Sequence, residues 1–341
     1  MRRTFSLAFG LSVLAAFVWA QQAPAAATTF KVVPLVSNQT GKAPNVDPHL
    51  VNPWGLSQAP GNNPIWVSDN GTGLSTLYAP GTGQIQSLVV TIPKGSPTGT
   101  VFAPSIGFPV SENGKTGDSV FIFDSLSGVL TGWSFNVDTA NAIIAVDNSA
   151  KGASYTGLAI DPSTKLLFAA NFGKGKVEVY SSTWKLVRSF TNANHTGFAP
   201  YNVAVIKGSL YVTFARTGPL HSQGIPSAGS GYVDVFSETG TLKKALIAGG
   251  VLDSPWGISI APSTFGTFAN ALLVGNLANG RINAFNASTG ALMGTLRNTL
   301  GKPIVLSGLW SLDPVPNGKI TFSSGPNGYA AGLIGLIEVA K

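Results

Sequence analysis

The chain contains no cysteine, which removes disulfides, thiol nucleophiles and cysteine-ligated zinc from its chemistry. Charge is scarce as well: 10% of the 341 residues are Asp, Glu, Lys or Arg, against about 25% in an ordinary soluble protein. There are three histidines and no run rich in Glu, Lys and Leu of the kind that builds long helices. The formal charge of +7 is thinly spread, with Lys243 and Lys244 the one adjacent basic pair after Arg2 and Arg3. A nucleic-acid reader carries a clustered basic stripe, so no nucleic-acid partner is expected. No apolar run of about 20 residues follows the amino terminus, so no membrane span is expected beyond it.

What is plentiful is Gly (41) and Pro (22), within a chain that is 44% hydrophobic. Those two residues supply the backbone angles of tight turns, so the composition suits many short strands. The amino terminus reads differently. Arg2 and Arg3 precede the apolar stretch Phe5 to Trp19, and Val18-Trp19-Ala20 offers small residues where a signal peptidase cuts. Residues 1–20 are expected to be a signal peptide, 21–29 a linker and 30–341 one domain. The mature protein is then exported, to the periplasm or the extracellular space.

A repeat of roughly 50 residues organises the domain. Its copies lead into a short apolar strand through Pro53-Trp54-Gly55-Leu56, Ser105-Ile106-Gly107-Phe108, Tyr155-Thr156-Gly157-Leu158, Pro200-Tyr201-Asn202-Val203, Pro255-Trp256-Gly257-Ile258 and Gly308-Leu309-Trp310-Ser311-Leu312. Second and third strands follow each, and some alternate with period two, as in Val177-Glu178-Val179-Tyr180 and Val233-Asp234-Val235-Phe236. The sixth copy stops after three strands, and Phe30 to Val36 reads as the missing fourth. The expected fold is therefore all-β: a six-bladed β-propeller of four-stranded antiparallel blades, its ring closed by the N-terminal strand pairing with the last blade. Pro34 fits there, since proline is tolerated on an outer strand.

Asn276-Leu277-Ala278-Asn279-Gly280-Arg281-Ile282 resembles the NHL repeat, and the copies resemble the NHL and SMP-30/gluconolactonase group of six-bladed propellers. Asn45-Val46-Asp47-Pro48-His49-Leu50-Val51-Asn52-Pro53-Trp54-Gly55, with Trp66-Val67-Ser68-Asp69-Asn70-Gly71, is similar to an uncharacterised family of exported bacterial propellers. Some of its members end in a sorting tail, which this sequence does not show. That resemblance implies export and a fold but no activity. The lactonase resemblance implies a divalent cation held by Glu, Asn and Asp, yet no Glu occupies a matching loop here.

In a propeller the loops leading into the innermost strands share one face with those joining strands two and three. The first set carries His49, Asn52, Trp54, Tyr155, His195, Tyr201, Asn202, Trp256 and Trp310, and the second Asp69, Asn70, Asp124, Asn171, Arg216 and Asn276, with His221 in the long loop of blade four. Read functionally, these make a polar pocket ringed by aromatics, facing an unknown small molecule, glycan or protein. Read structurally, the aromatics pack between blades and the Asn and Asp residues cap turns. Asp69, Asp124, Asn171 and Asn276 are the weak candidate ligands for calcium, which takes hard oxygen donors. Two functions compete: a non-enzymatic binding or scaffold propeller, and a metal-dependent hydrolase or lyase with His195 or His221 as base.

Overall fold

The computed structural model describes Met1, residues 28–219, 224–315 and 318–340. Apart from Met1, the segment expected to be a signal peptide lies outside the described residues, as does His221. Six antiparallel sheets stand around a central axis, each with its first strand innermost. The innermost strands are Pro53–Gln58, Pro97–Phe102, Tyr155–Asp161, Phe198–Ile206, Pro255–Ile260 and Leu309–Val315. Each has one hydrogen-bonded neighbour, so its free edge faces the axis. The described residues include no helix longer than a single 3-10 turn.

The ring closes as the sequence reading expects. Phe30–Ser37 pairs antiparallel with Leu333–Val339, from Phe30 opposite Val339 to Ser37 opposite Leu333. Pro34 falls where that register slips, at a bulge on the outer strand, so no ladder bond is missed for its absent N–H. Asn45–Val46 then adds a short parallel strand outside it.

Blade two corrects the sequence reading. Its innermost strand is Pro97–Phe102, and Ser105 to Phe108 only links it to an inserted hairpin, Pro109–Glu112 with Lys115–Asp118. The true counterpart of Ser254-Pro255-Trp256-Gly257 is Ser96-Pro97-Thr98-Gly99. Ser96 and Ser254 even share a left-handed backbone, φ 51° and 52°.

The period-two strands also turned out to be buried on both faces, because each blade is sandwiched between two others. Val177 and Val179 enter the core between blades three and four. Glu178, on the opposite face, is also buried and accepts hydrogen bonds from the hydroxyls of Tyr155 (2.8 Å) and Tyr180 (2.7 Å). Asp234 is likewise buried, 2.8 Å from Nε2 of His195.

All six innermost strands share one irregularity near their start, a slipped register at the residue after the aromatic or threonine, for example between Pro53 and Leu56, between Pro97 and Thr100 and between Leu309 and Leu312. Blade two has Thr98-Gly99 at the same place. The third residue of the motif touches the next blade. A Cβ on Gly55 would stand 2.7 Å from the carbonyl oxygen of Thr98, and one on Gly99 2.5 Å from the amide of Leu158. Glycine is needed there so that neighbouring inner strands can approach. Blade four has Asn202 instead, and its side chain spans to the Trp256 carbonyl at 3.0 Å.

Candidate functional site

The second residue of that motif points at the axis. Blades one, four, five and six supply Trp54, Tyr201, Trp256 and Trp310, all at most 3% exposed. Trp54 stacks on Trp310 at 3.4 Å, meets Trp256 edge-on at 6.1 Å, and reaches Tyr201, directly across the ring, at 6.4 Å. Side chains from opposite blades touch only if they meet on the axis, so these rings plug the channel. Trp256 Nε1 donates to the Thr156 carbonyl (2.7 Å) and Trp310 Nε1 to Asn52 Oδ1 (2.9 Å), which fixes the ring planes. Phe172 packs beneath Tyr201 at 5.2 Å.

The aromatics expected to ring an open mouth are thus core residues that close it. Truncating one of them is expected to cost roughly 3–5 kcal/mol. Trp54→Ala checks this by urea unfolding; a loss below about 1 kcal/mol would mean that the plug contributes little to ring stability.

The polar residues of that face are mostly spent on local structure. Asn171 Oδ1 accepts from the amides of Lys174 (3.2 Å) and Ser154 (3.3 Å), capping the Phe172–Lys174 turn. Asn276 Nδ2 donates to the Val251 carbonyl (2.7 Å) and to Asn279 (3.2 Å). Asp124 Oδ1 accepts from Thr98 Oγ1 (2.6 Å) and the Gly99 amide (2.5 Å). Burial pushes Asp124 up to about 6 despite those bonds. By register Ser125, opposite Pro97, is the counterpart of Asp69, opposite Pro53; Asp124 is one residue earlier and so points to the other sheet face.

Asp69, Asp124, Asn171 and Asn276 fit a single calcium ion poorly. Two are uncharged and all four are tied into their own blades, although each keeps one buried polar atom without a partner. Among the described residues no three His, Asp or Glu side chains gather as a metal site.

The histidines divide. His195 is buried, stacked on Tyr232 at 3.7 Å and bonded to Asp234. His49 is half-exposed and heads a chain that runs inward: Nδ1 to Asp47 (3.1 Å), Asp47 to the Tyr78 hydroxyl (2.9 Å), Tyr78 to Thr76 Oγ1 (2.8 Å), and Thr76 to Asp69 (2.7 Å). The hydroxyl and the amide of Thr76 both donate to Asp69, and burial nevertheless pushes that carboxyl well above its ordinary value. Asn70 joins Asn52 to the Pro97 carbonyl, and Arg216 is exposed at the end of its strand.

The open space lies at the opposite end of the channel. Beyond the plug is a cavity of about 550 Å³ that includes Trp256 and Asn202 and is walled by all six innermost strands. Its mouth includes the exposed residues Pro60, Gly61 and Pro314. Most of the lining side chains are apolar, among them Leu56, Val101, Phe102, Leu158, Ile160, Val203, Val205, Ile258 and Leu312, but backbone groups and Ser57, Gln58, Thr100, Asn202, Ser311 and Thr321 make about half of the wall's surface polar. Asp313 is the one ionisable residue in this lining. Burial pushes it up to about 7, against a hydrogen bond from Ser311 that pulls the other way.

The molecule is therefore a six-bladed β-propeller whose channel is stoppered by aromatics at one end and open as a cavity at the other. No family model matches the chain. It belongs to the same family as an uncharacterised protein of Acanthamoeba polyphaga mimivirus, to which it is 30% identical over 326 residues, covering 92% of this chain and 81% of that protein. A second uncharacterised mimivirus protein is 28% identical over 329 residues, covering 92% and 86%.

Among solved structures it is similar to a luciferin-regenerating enzyme, with a TM-score of 0.56 and 12% identity over 85% of this chain and 92% of that one. It is also similar to virginiamycin B lyase from Staphylococcus aureus (TM-score 0.52, 10% identity, 92% and 100%) and to the WD40 propeller domain of Doa1 (0.53, 11%, 84% and 78%). At such identities these likenesses show the fold alone. No helix among the described residues is long and apolar enough to cross a membrane.

Proposed function

We propose that the protein is an exported, non-enzymatic ligand-binding propeller that holds a small, largely apolar molecule in the open end of its channel. The observation that carries this reading is the cavity itself: about 550 Å³, lined chiefly by apolar side chains with polar surface between them, and framed mainly by strands. Ligand pockets of that kind measure roughly 300–1,000 Å³ and set a few polar groups among apolar walls. The six free strand edges add backbone amides and carbonyls for orientation. Catalysis by a bound metal has no support from the hydrogen bonds of Asp69 and Asp124, which serve their own blades. Export rests on the amino-terminal pattern of Arg2, Arg3 and the apolar stretch after them.

The neutral fluorophore 1-naphthalenemethanol is a suitable probe, because Trp256 borders the cavity and reports its arrival by fluorescence. Saturable binding is expected, with a Kd of roughly 10–100 µM for a ligand of this size. Ser57→Trp, which fills the wall, is expected to weaken it at least tenfold while the far-UV circular dichroism stays that of the parent. Absence of saturable binding to the parent protein would remove the reading.

A further inference from the structure

Aligned by register, the innermost strands place Ser57, Val101, Ala159, Ala204, Ser259 and Asp313 at one level of the channel. Five of the six are small or apolar. The sixth is a carboxyl in the wall of the cavity, facing blade one across Ser57, Gln58 and Ile65. Among the described residues no unpaired cation lies on the strands packed against it. The strands packed against Leu309–Val315 are Pro53–Gln58, Pro255–Ile260, Leu272–Asn276 and Lys319–Ser324. The first three carry no ionisable side chain, and the only one on the fourth is Lys319, whose ammonium is paired with Glu338 at 2.6 Å.

A carboxyl held by burial costs stability unless something compensates it. No packing reason calls for one here, since the five sister positions manage with small or apolar side chains. What the site lacks is a positive charge, and the cavity leaves room for one that comes attached to an apolar body. We propose that Asp313 selects the channel's ligand as an organic ammonium ion: an apolar molecule carrying a single protonated amine, with the amine seated against the Asp313 carboxylate and the body against Leu56, Leu158, Val203 and Ile258. This rests on the reading of the cavity as a binding site and adds the class of molecule to it. The burial that holds Asp313 up near 7 gives the site a pH signature. An empty site is partly protonated at neutral pH, and seating an ammonium requires that proton to leave.

The test compares 1-naphthylmethylamine with 1-naphthalenemethanol, which share the same body. At pH 8.5 the amine is expected to bind at least tenfold more tightly than the alcohol. Its affinity is expected to fall as pH drops through 7 towards 5.5, whereas the alcohol has no such dependence. In Asp313→Asn the amine's advantage is expected to disappear, and with it the pH dependence. Equal binding of amine and alcohol by the parent protein at pH 8.5 would overturn the assignment of an ammonium while leaving the cavity a binding site. An advantage that survives in Asp313→Asn would also overturn it, by placing the charge elsewhere. If neither probe binds the parent protein, the cavity reading itself falls, and the three results stay distinguishable. The pH series on the parent chain decides the question even if the variant does not fold.

Discussion

A chain that begins after Ser37 is expected to lose cooperative unfolding altogether. The strand Phe30–Ser37 is the fourth strand of blade six although it comes first in sequence, and it is what turns an open row of blades into a ring. Its effect reaches two blades. Phe30, fully buried, packs on Phe265 at 4.7 Å and on Phe268 at 6.0 Å, both in the loop of blade five. Leu35 and Val36 enter the core between blades six and one, beside Ile334 and Leu336.

Losing Phe30 alone is expected to cost roughly 3–5 kcal/mol. Removing the strand also unpairs the outer edge of Leu333–Val339 and bares its apolar residues, which invites edge-to-edge association. A domain whose whole stability is about 5–15 kcal/mol does not withstand that combination. Urea titration followed by circular dichroism and tryptophan fluorescence checks it. The expected result is a broad, non-coincident change for the truncated chain, and recovery of a sharp transition when a peptide of residues 28–40 is added. A truncated chain with a sharp transition within about 0.5 M urea of the parent's midpoint would show that the ring does not depend on this strand.

That closure was readable because it is a matter of counting: six copies, one of them a strand short, and one spare strand at the other end. Where a copy kept its aromatic and glycine, as Trp54-Gly55 and Trp256-Gly257 do, its blade could be placed. Blade two could not, because Thr98-Gly99 carries the same backbone need without the ring. The inserted hairpin at Pro109–Asp118 then displaced the spacing.

The site was harder for a different reason. Whether Trp54 and Tyr201 line a mouth or stop it depends on their meeting across the axis, a contact between residues 147 positions apart that no local pattern records. The two face-dependent carboxylates show the same limit. Asp69 and Asp124 look equivalent along the chain, and a one-residue offset in register sends them to opposite faces. Asp313 did leave a trace. It is the residue directly after Leu309-Trp310-Ser311-Leu312, and it is the one acid when all six inner strands are set in register at that level. Only the shared slip in those strands makes that alignment possible.

The buried carboxyls give the second large effect, on stability against pH. In the unfolded chain an aspartate gives up its proton near pH 4. In the fold, burial holds Asp124 up to about 6 and Asp313 up to about 7, and it holds Asp69 well above its usual range as well. Between those limits the unfolded state binds fewer protons than the folded one, so stability falls as pH rises. The loss begins near pH 4 and continues to about 6 for Asp124 and about 7 for Asp313, beyond which each contribution is constant.

At about 1.4 kcal/mol per pH unit, a fully buried Asp124 accounts for roughly 3 kcal/mol. Asp313 borders the channel, where water screens it, and contributes less than its larger displacement alone implies. The exposed carboxylates act in the opposite sense and lower down. Asp147, bonded to Lys94 and Ser149, and Glu338, between Lys31 and Lys319, are held below their usual range, so they add stability that is lost only in stronger acid. The thermal midpoint is therefore expected to peak between about pH 4 and 5 and to decline by several degrees towards pH 7.5. Differential scanning calorimetry across that range checks the decline. Asp313→Asn, which has no proton to lose, is expected to flatten its upper half and to be more stable than the parent at pH 7.5. A parent midpoint that climbs from pH 4.5 to 7.5 would mean that these carboxylates are ionised and compensated inside the ring. The channel would then already hold the positive charge that Asp313 lacks.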